Sequence, residues 1–120
     1  MTRPLDIFLV VGEASGDQLG FKLMRALREE LAGAVRFRGV AGPRMIAVGM
    51  ASLFPLEDIA VMGFAAVARH FRRIYARAWE TIEAIVKAPP DLLILIDSPD
   101  FTHAVAKRVR KRLPDLPIVD

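Results

Sequence analysis

Apolar residues gather along the chain in two kinds of run. Residues 5–11, LDIFLVV, and 91–96, DLLILI, are apolar at successive positions, and VRFRGVA at 35–41 and LPIV from 116 are mixed versions of similar length. Side chains alternate between faces along a strand, so a run without alternation must be buried on both sides, as in a parallel sheet covered by helices. Between these runs the period changes. Residues 17–31 place Leu19, Leu23, Leu27 and Leu31 four apart, which predicts a helix with one buried stripe. Residues 63–86 predict a second helix, with Phe64, Val67, Ala68, Phe71, Ile74, Tyr75, Ala78 and Ile82 on one face and Arg69, Arg72, Arg73 and Arg77 on another. Strands and helices in alternation imply an α/β fold, a Rossmann-like doubly wound parallel sheet.

Two loops interrupt this pattern with acids. The first, GEASGDQLG at 12–20, has Gly12, Gly16 and Gly20 spaced for a tight turn and for close packing of the helix on the sheet, but neither G-x-G-x-x-G nor a G-K-[ST] ending, so it is not a phosphate loop by motif. Ser15 and Gln18 form an S-x-x-Q capping box, with Asp17 in the first turn where the helix dipole favours an anion. Glu13 precedes the cap, at the carboxyl end of a strand, where open α/β sheets bind ligands. The second loop, IDSPDF at 96–101, repeats the design: Asp97 at a strand tip, Ser98 as a cap, Pro99 at the first helical position and Asp100 in the first turn. If the two strands are neighbours, Glu13 and Asp97 flank one crevice and can supply a general base, although Asp97 also suits a purely structural loop role.

Composition narrows the picture. The 120 residues make one domain by length, and 53% hydrophobic with 26% charged positions is a globular balance. Cysteine is absent, which excludes a disulfide framework and a thiol nucleophile. The opening MTRPLDIFLVVGEASGD has an early Asp6 and too short an apolar stretch for a signal peptide, so a cytoplasmic location is expected, and no apolar run is long enough to span a membrane. The net charge of +3 and pI near 9.8 are concentrated in residues 63–86 and in KRVRKR at 107–112. The latter suits the carboxyl end of a helix, and without interleaved aromatics or a recognition motif no nucleic acid partner is expected. His70 and His103 have no local partner. The chain stops just after Ile118 and Val119, where a strand is getting under way, so it is expected to be the opening part of a longer protein.

Four blocks in order, GEASGD, GVAGPRM at 39–45, LEDIAVMGF at 56–64 and IDSPDF, resemble the amino-terminal part of the lipid-A-disaccharide synthase family. The resemblance implies that residues 1–120 belong to the amino-terminal, acceptor-side half of a GT-B architecture, whose missing carboxy-terminal domain holds the nucleotide. It implies an inverting glycosyltransferase joining UDP-2,3-diacylglucosamine to 2,3-diacylglucosamine 1-phosphate, with release of UDP, in lipid A biosynthesis, and with no metal or other cofactor. Asp97 then matches the family's base, with a pKa that the closed cleft must raise, and Glu13 is the second catalytic candidate. Ser15, Asp17 and Arg44 are the substrate-binding candidates; Arg44 suits the acceptor phosphate, or simply an exposed first turn after Pro43. The basic amphipathic segment becomes an interfacial anchor at the inner face of the inner membrane, through Phe64, Val67, Ala68, Phe71 and Tyr75 with Arg69, Arg72 and Arg73. Other readings are a receiver-like, metal-binding phosphoacceptor domain and a non-catalytic membrane-associated module. The fragment alone is expected to be inactive.

Overall fold

The computed structural model describes residues 3–61, 63–97 and 99–120, without the side chains of Phe64 and Pro99. Four strands, β1 (Leu5–Val11), β2 (Val35–Val40), β3 (Leu92–Ile96) and β4 (Ile118–Val119), form one parallel sheet in the order β2-β1-β3-β4. The two uninterrupted apolar runs lie side by side at the centre: Ile7 faces Leu92 and Val11 faces Ile96. From Asp6 onward every residue of β1 is buried, which is what its lack of alternation requires. The fold is the α/β, Rossmann-like arrangement expected from the sequence.

The connections run in both directions from β1 and β3. Helix α1 (Ala14–Glu30) leads to β2, and α5 (Pro99–Arg112) leads to β4. Right-handed crossovers put helices that travel in opposite directions on opposite faces. Accordingly α1 packs with α2 (Pro43–Ala47), and α5 packs with α4 (Phe71–Lys87). Ile82 and Ile85 of α4, with Val105 and Val109 of α5, are buried, and full burial of each such side chain is worth about 1.5–3 kcal/mol.

Three expectations are corrected. Helix α1 begins at Ala14 rather than Asp17, and its buried line is Gly16, Gly20 and Met24 instead of the leucines. The glycines let the helix press close, so Leu23, Leu27 and Leu31 pack only at the edges of the core and Leu19 is 56% exposed. The helix predicted over 63–86 is two, α3 (Phe64–Arg69) and α4, bent at His70. The bend keeps its hydrogen bonds, since Ile74 N–H still reaches the His70 carbonyl at 3.0 Å. What differs is anchorage: Arg77 grips the Asp58 carboxylate at 2.7 and 2.9 Å, and Arg73 Nε donates to the Asp58 carbonyl at 2.9 Å, fastening α4 alone to the 3-10 turn Leu56–Asp58.

Candidate active site at the carboxyl edge of the sheet

Strand β1 hands its chain to one side of the sheet and β3 to the other, so the carboxyl ends of these neighbours form a topological switch point. Glu13 follows β1 there and Asp97 follows β3. The two carboxylates predicted to flank one crevice therefore do leave adjacent strands.

Asp97 is held in three ways. Its backbone is left-handed, at φ 63°, which costs an ordinary residue about 1–2 kcal/mol and aspartate somewhat less. Thr102 Oγ1 donates to its carbonyl at 3.3 Å. Ser15 Oγ donates to its Oδ2 at 2.7 Å. Gly16 completes the seat, because a Cβ there would stand 2.9 Å from Asp97 Oδ2 and 3.1 Å from Val11 Cβ. The glycine read from sequence as serving the turn and close helix packing is thus also a close-approach residue for the carboxylate.

The capping box is not formed. Glu13 occupies the N-cap position in extended conformation with no side-chain cap bond, and Ser15, already inside the helix, turns to Asp97. Glu13 is exposed, and its carboxylate has no partner among the described residues. The proposed cap Ser98 lies outside the described residues; Asp100 is exposed in the first turn of α5.

Asp17 behaves differently from its expectation as a substrate contact. It is 3% exposed, and its two oxygens accept the amides of Arg44 and Met45, each at 3.0 Å. Helix α2 has Gly42 at its N-cap and Pro43 behind it, so it carries no polar cap of its own; Asp17 supplies one from another element. A Cβ on Gly42 would stand 2.4 Å from Asp17 Cγ. The GEASGD and GPRM blocks therefore interlock. The sequence signal was a helix start lacking Ser, Thr, Asp or Asn, which calls for an outside acceptor. Arg44 is exposed on that turn, with its guanidinium 5.9 Å from the Phe21 ring centre. With Asp17 buried, the first loop offers one open carboxylate, Glu13, rather than the adjacent pair a receiver-like site needs.

Farther along, the apolar stripe of α3 and α4 divides. Ile74, Ala78 and Ile82 turn inward, whereas Val67, Phe71 and Tyr75 are 43%, 59% and 53% exposed. These three line a groove of about 330 Å³ with Ile59, Val61 and Phe101. Phe71 stacks on Tyr75 with ring centres 5.9 Å apart. Ala68, Arg69 and Arg72 are exposed beside them, and neither arginine has an ion-pair partner among the described residues. Arg73 is committed to Asp58. No described helix is long and apolar enough to cross a membrane. In α5 the basic cluster lies in the last turn, with Arg110 capping the carbonyls of Pro114 and Leu116 at 2.7 Å, and His103 meets Asp120 at 3.1 Å.

A lipid-A-disaccharide synthetase family model matches residues 7–120. Among curated proteins, the lipid-A-disaccharide synthase of Nitrobacter hamburgensis is 56% identical over 95% of this chain and 29% of its own length. The synthase of Rhodopseudomonas palustris is 50% identical over 98% of this chain and 30% of its own length, and that of Rhodospirillum centenum 44% over 98% and 29%. The chain thus spans less than a third of the length of these relatives. A match of this extent, carrying the loops that seat Asp97 and Asp17, places the chain in the lipid-A-disaccharide synthase family.

Proposed function

We propose that the chain is the acceptor side of an inverting GT-B glycosyltransferase that joins UDP-2,3-diacylglucosamine to 2,3-diacylglucosamine 1-phosphate. The relatives are named as lipid-A-disaccharide synthases, and the observation that carries the reading is the seating of Asp97. A strained left-handed carboxylate, fixed by Ser15 at the switch point of the sheet, has the placement of a working base rather than of a loop stabiliser. Asp97 takes the proton of the acceptor hydroxyl as that oxygen forms its bond to the anomeric carbon. The bond from that carbon to the UDP oxygen breaks on the opposite side, which inverts the centre. Glu13, open to solvent, orients the acceptor. Arg44 meets the acceptor's phosphate from the α2 turn. The exposed Val67, Phe71 and Tyr75, with Arg69 and Arg72 beside them, rest against the cytoplasmic surface of the membrane in which both acylated sugars reside.

The test is disaccharide formation by the full-length protein carrying Asp97→Asn, with folding verified by circular dichroism. Loss of the base should lower kcat by about 10²–10⁴-fold. Near-normal turnover would remove Asp97 from the mechanism.

A further inference from the structure

We propose that Ser15 is a positioning residue for Asp97, acting through its hydroxyl rather than by touching a substrate. The proposal rests on Asp97 being the base. An aspartate on a left-handed residue at a strand tip still has a free χ1 and χ2, and a base must present one oxygen to one proton at hydrogen-bond distance. Ser15 restricts that freedom. Its Oγ donates to Oδ2 at 2.7 Å, within the range of a hydrogen bond to an ionised carboxylate. Oδ1 has no partner among the described residues and is the oxygen left for the acceptor. Gly16 blocks retreat on the other side, since Asp97 Oδ2 already occupies the space against its Cα.

The placement of Ser15 explains why it abandons the cap. A serine as a helix N-cap would satisfy an amide of its own helix, worth about as much as an ordinary hydrogen bond. Here the N-cap of α1 falls two residues earlier, on Glu13, and the Ser15 hydroxyl is aimed across to Asp97 at the end of β3. The other ionisable groups at this edge are Glu13 before α1, Asp100 in the first turn of α5, and Asp120 after β4. Asp120 lines the same shallow groove as Asp97 and meets His103. All but His103 are acids, so Ser15 is the one described side chain that donates to the Asp97 carboxylate.

The experiment compares the full-length enzyme with Ser15→Ala, Ser15→Thr, Asp97→Asn and the double variant Ser15→Ala/Asp97→Asn. Ser15→Ala should lower kcat about tenfold to hundredfold and leave both KM values within about threefold. Ser15→Thr, which keeps the hydroxyl, should recover most of the rate. The double variant should be no slower than Asp97→Asn alone. A Ser15→Ala enzyme with parental kcat overturns the proposal, as does one changed only in KM, which would make Ser15 a substrate contact. If Asp97→Asn itself turns over normally, the base assignment fails first; if only Asp97→Asn is crippled, the base stands and the positioning role falls.

Discussion

Removing the Asp17 carboxylate should loosen the GPRM turn while leaving the rest of the sheet intact. Asp17 is buried, and each oxygen accepts one amide of α2 at 3.0 Å. Hydrogen bonds to a charged group contribute about 1.5–3 kcal/mol each, and the amides left behind have no alternative acceptor on Gly42. Asp17→Ala should therefore cost about 3–5 kcal/mol. Asp17→Asn keeps one acceptor but turns its amide group toward the other backbone N–H, for about half that loss. On the proposed two-domain reading the full-length protein would not unfold in one transition, so a global melting temperature is the wrong assay. Hydrogen exchange at the amides of Arg44 and Met45 in the full-length protein reads the turn directly, and 3 kcal/mol corresponds to an acceleration of about 100-fold. Gly42→Ala should reproduce the effect from the opposite side, since its Cβ meets Asp17 Cγ at 2.4 Å. Combined with Asp17→Ala it should still disturb the turn, because the Cβ retained at 17 would stand 2.7 Å from the new methyl. Unchanged protection at residues 44 and 45 in Asp17→Ala would refute the capping role.

The proposed membrane contact makes a second prediction: full-length protein with Val67, Phe71 and Tyr75 changed to Ser should sediment less with anionic liposomes, and unchanged sedimentation would remove that face from the contact. At the other end of the sheet, the Arg3 guanidinium and then the Asp6 amide hold the Asp91 carboxyl at about 2, below its ordinary value of 3.8. The folded chain thus binds this proton less readily than the unfolded chain, so the stabilisation is complete above pH 4 or so and is lost as pH falls through about 2. Asp91→Asn should flatten acid unfolding across that window, and a parental acid curve would contradict the linkage.

Much of the fold was legible because burial on both faces leaves an unmistakable mark. The central strands could be drawn from LDIFLVV and LLILI alone, whereas the alternation with helices left open whether they are neighbours, which the sheet order answers. What sequence could not yield was which polar side chain answers which distant group. Ser15 has a local explanation as a cap and Asp17 a local explanation as a dipole partner, yet both are used by other elements. A local rule ranks local partners, and at this edge the long-range partner won each time. The leucine spacing of α1 misled for a related reason: periodicity counts large apolar residues, whereas the closest approach to the sheet went to glycines. The bend at His70 had no sequence marker, because it accompanies ties from Arg73 and Arg77 to a turn far back in the chain.

The acidic character of this edge follows from what each helix does with its own amino end. Such an end is a ready anion site, and a Rossmann-like sheet normally brings several of them to one edge. Here three of them, those of α1, α2 and α5, have a carboxylate from the chain itself beside them, whereas the first turns of α3 and α4 have none. Asp17 closes α2, Glu13 stands at the head of α1 with Asp97 against its first turn, and Asp100 occupies the first turn of α5. A diphosphate brought to this edge would find the helix dipoles already answered, and each approach of like unit charges to about 5 Å would cost about 3 kcal/mol at an effective dielectric of 20. A sugar hydroxyl carries no such penalty and gains acceptors. On the proposed reading, the half of the enzyme that carries the base thereby disfavours the leaving group, and the division of labour between the two halves is reflected in the acids at the amino ends of three helices.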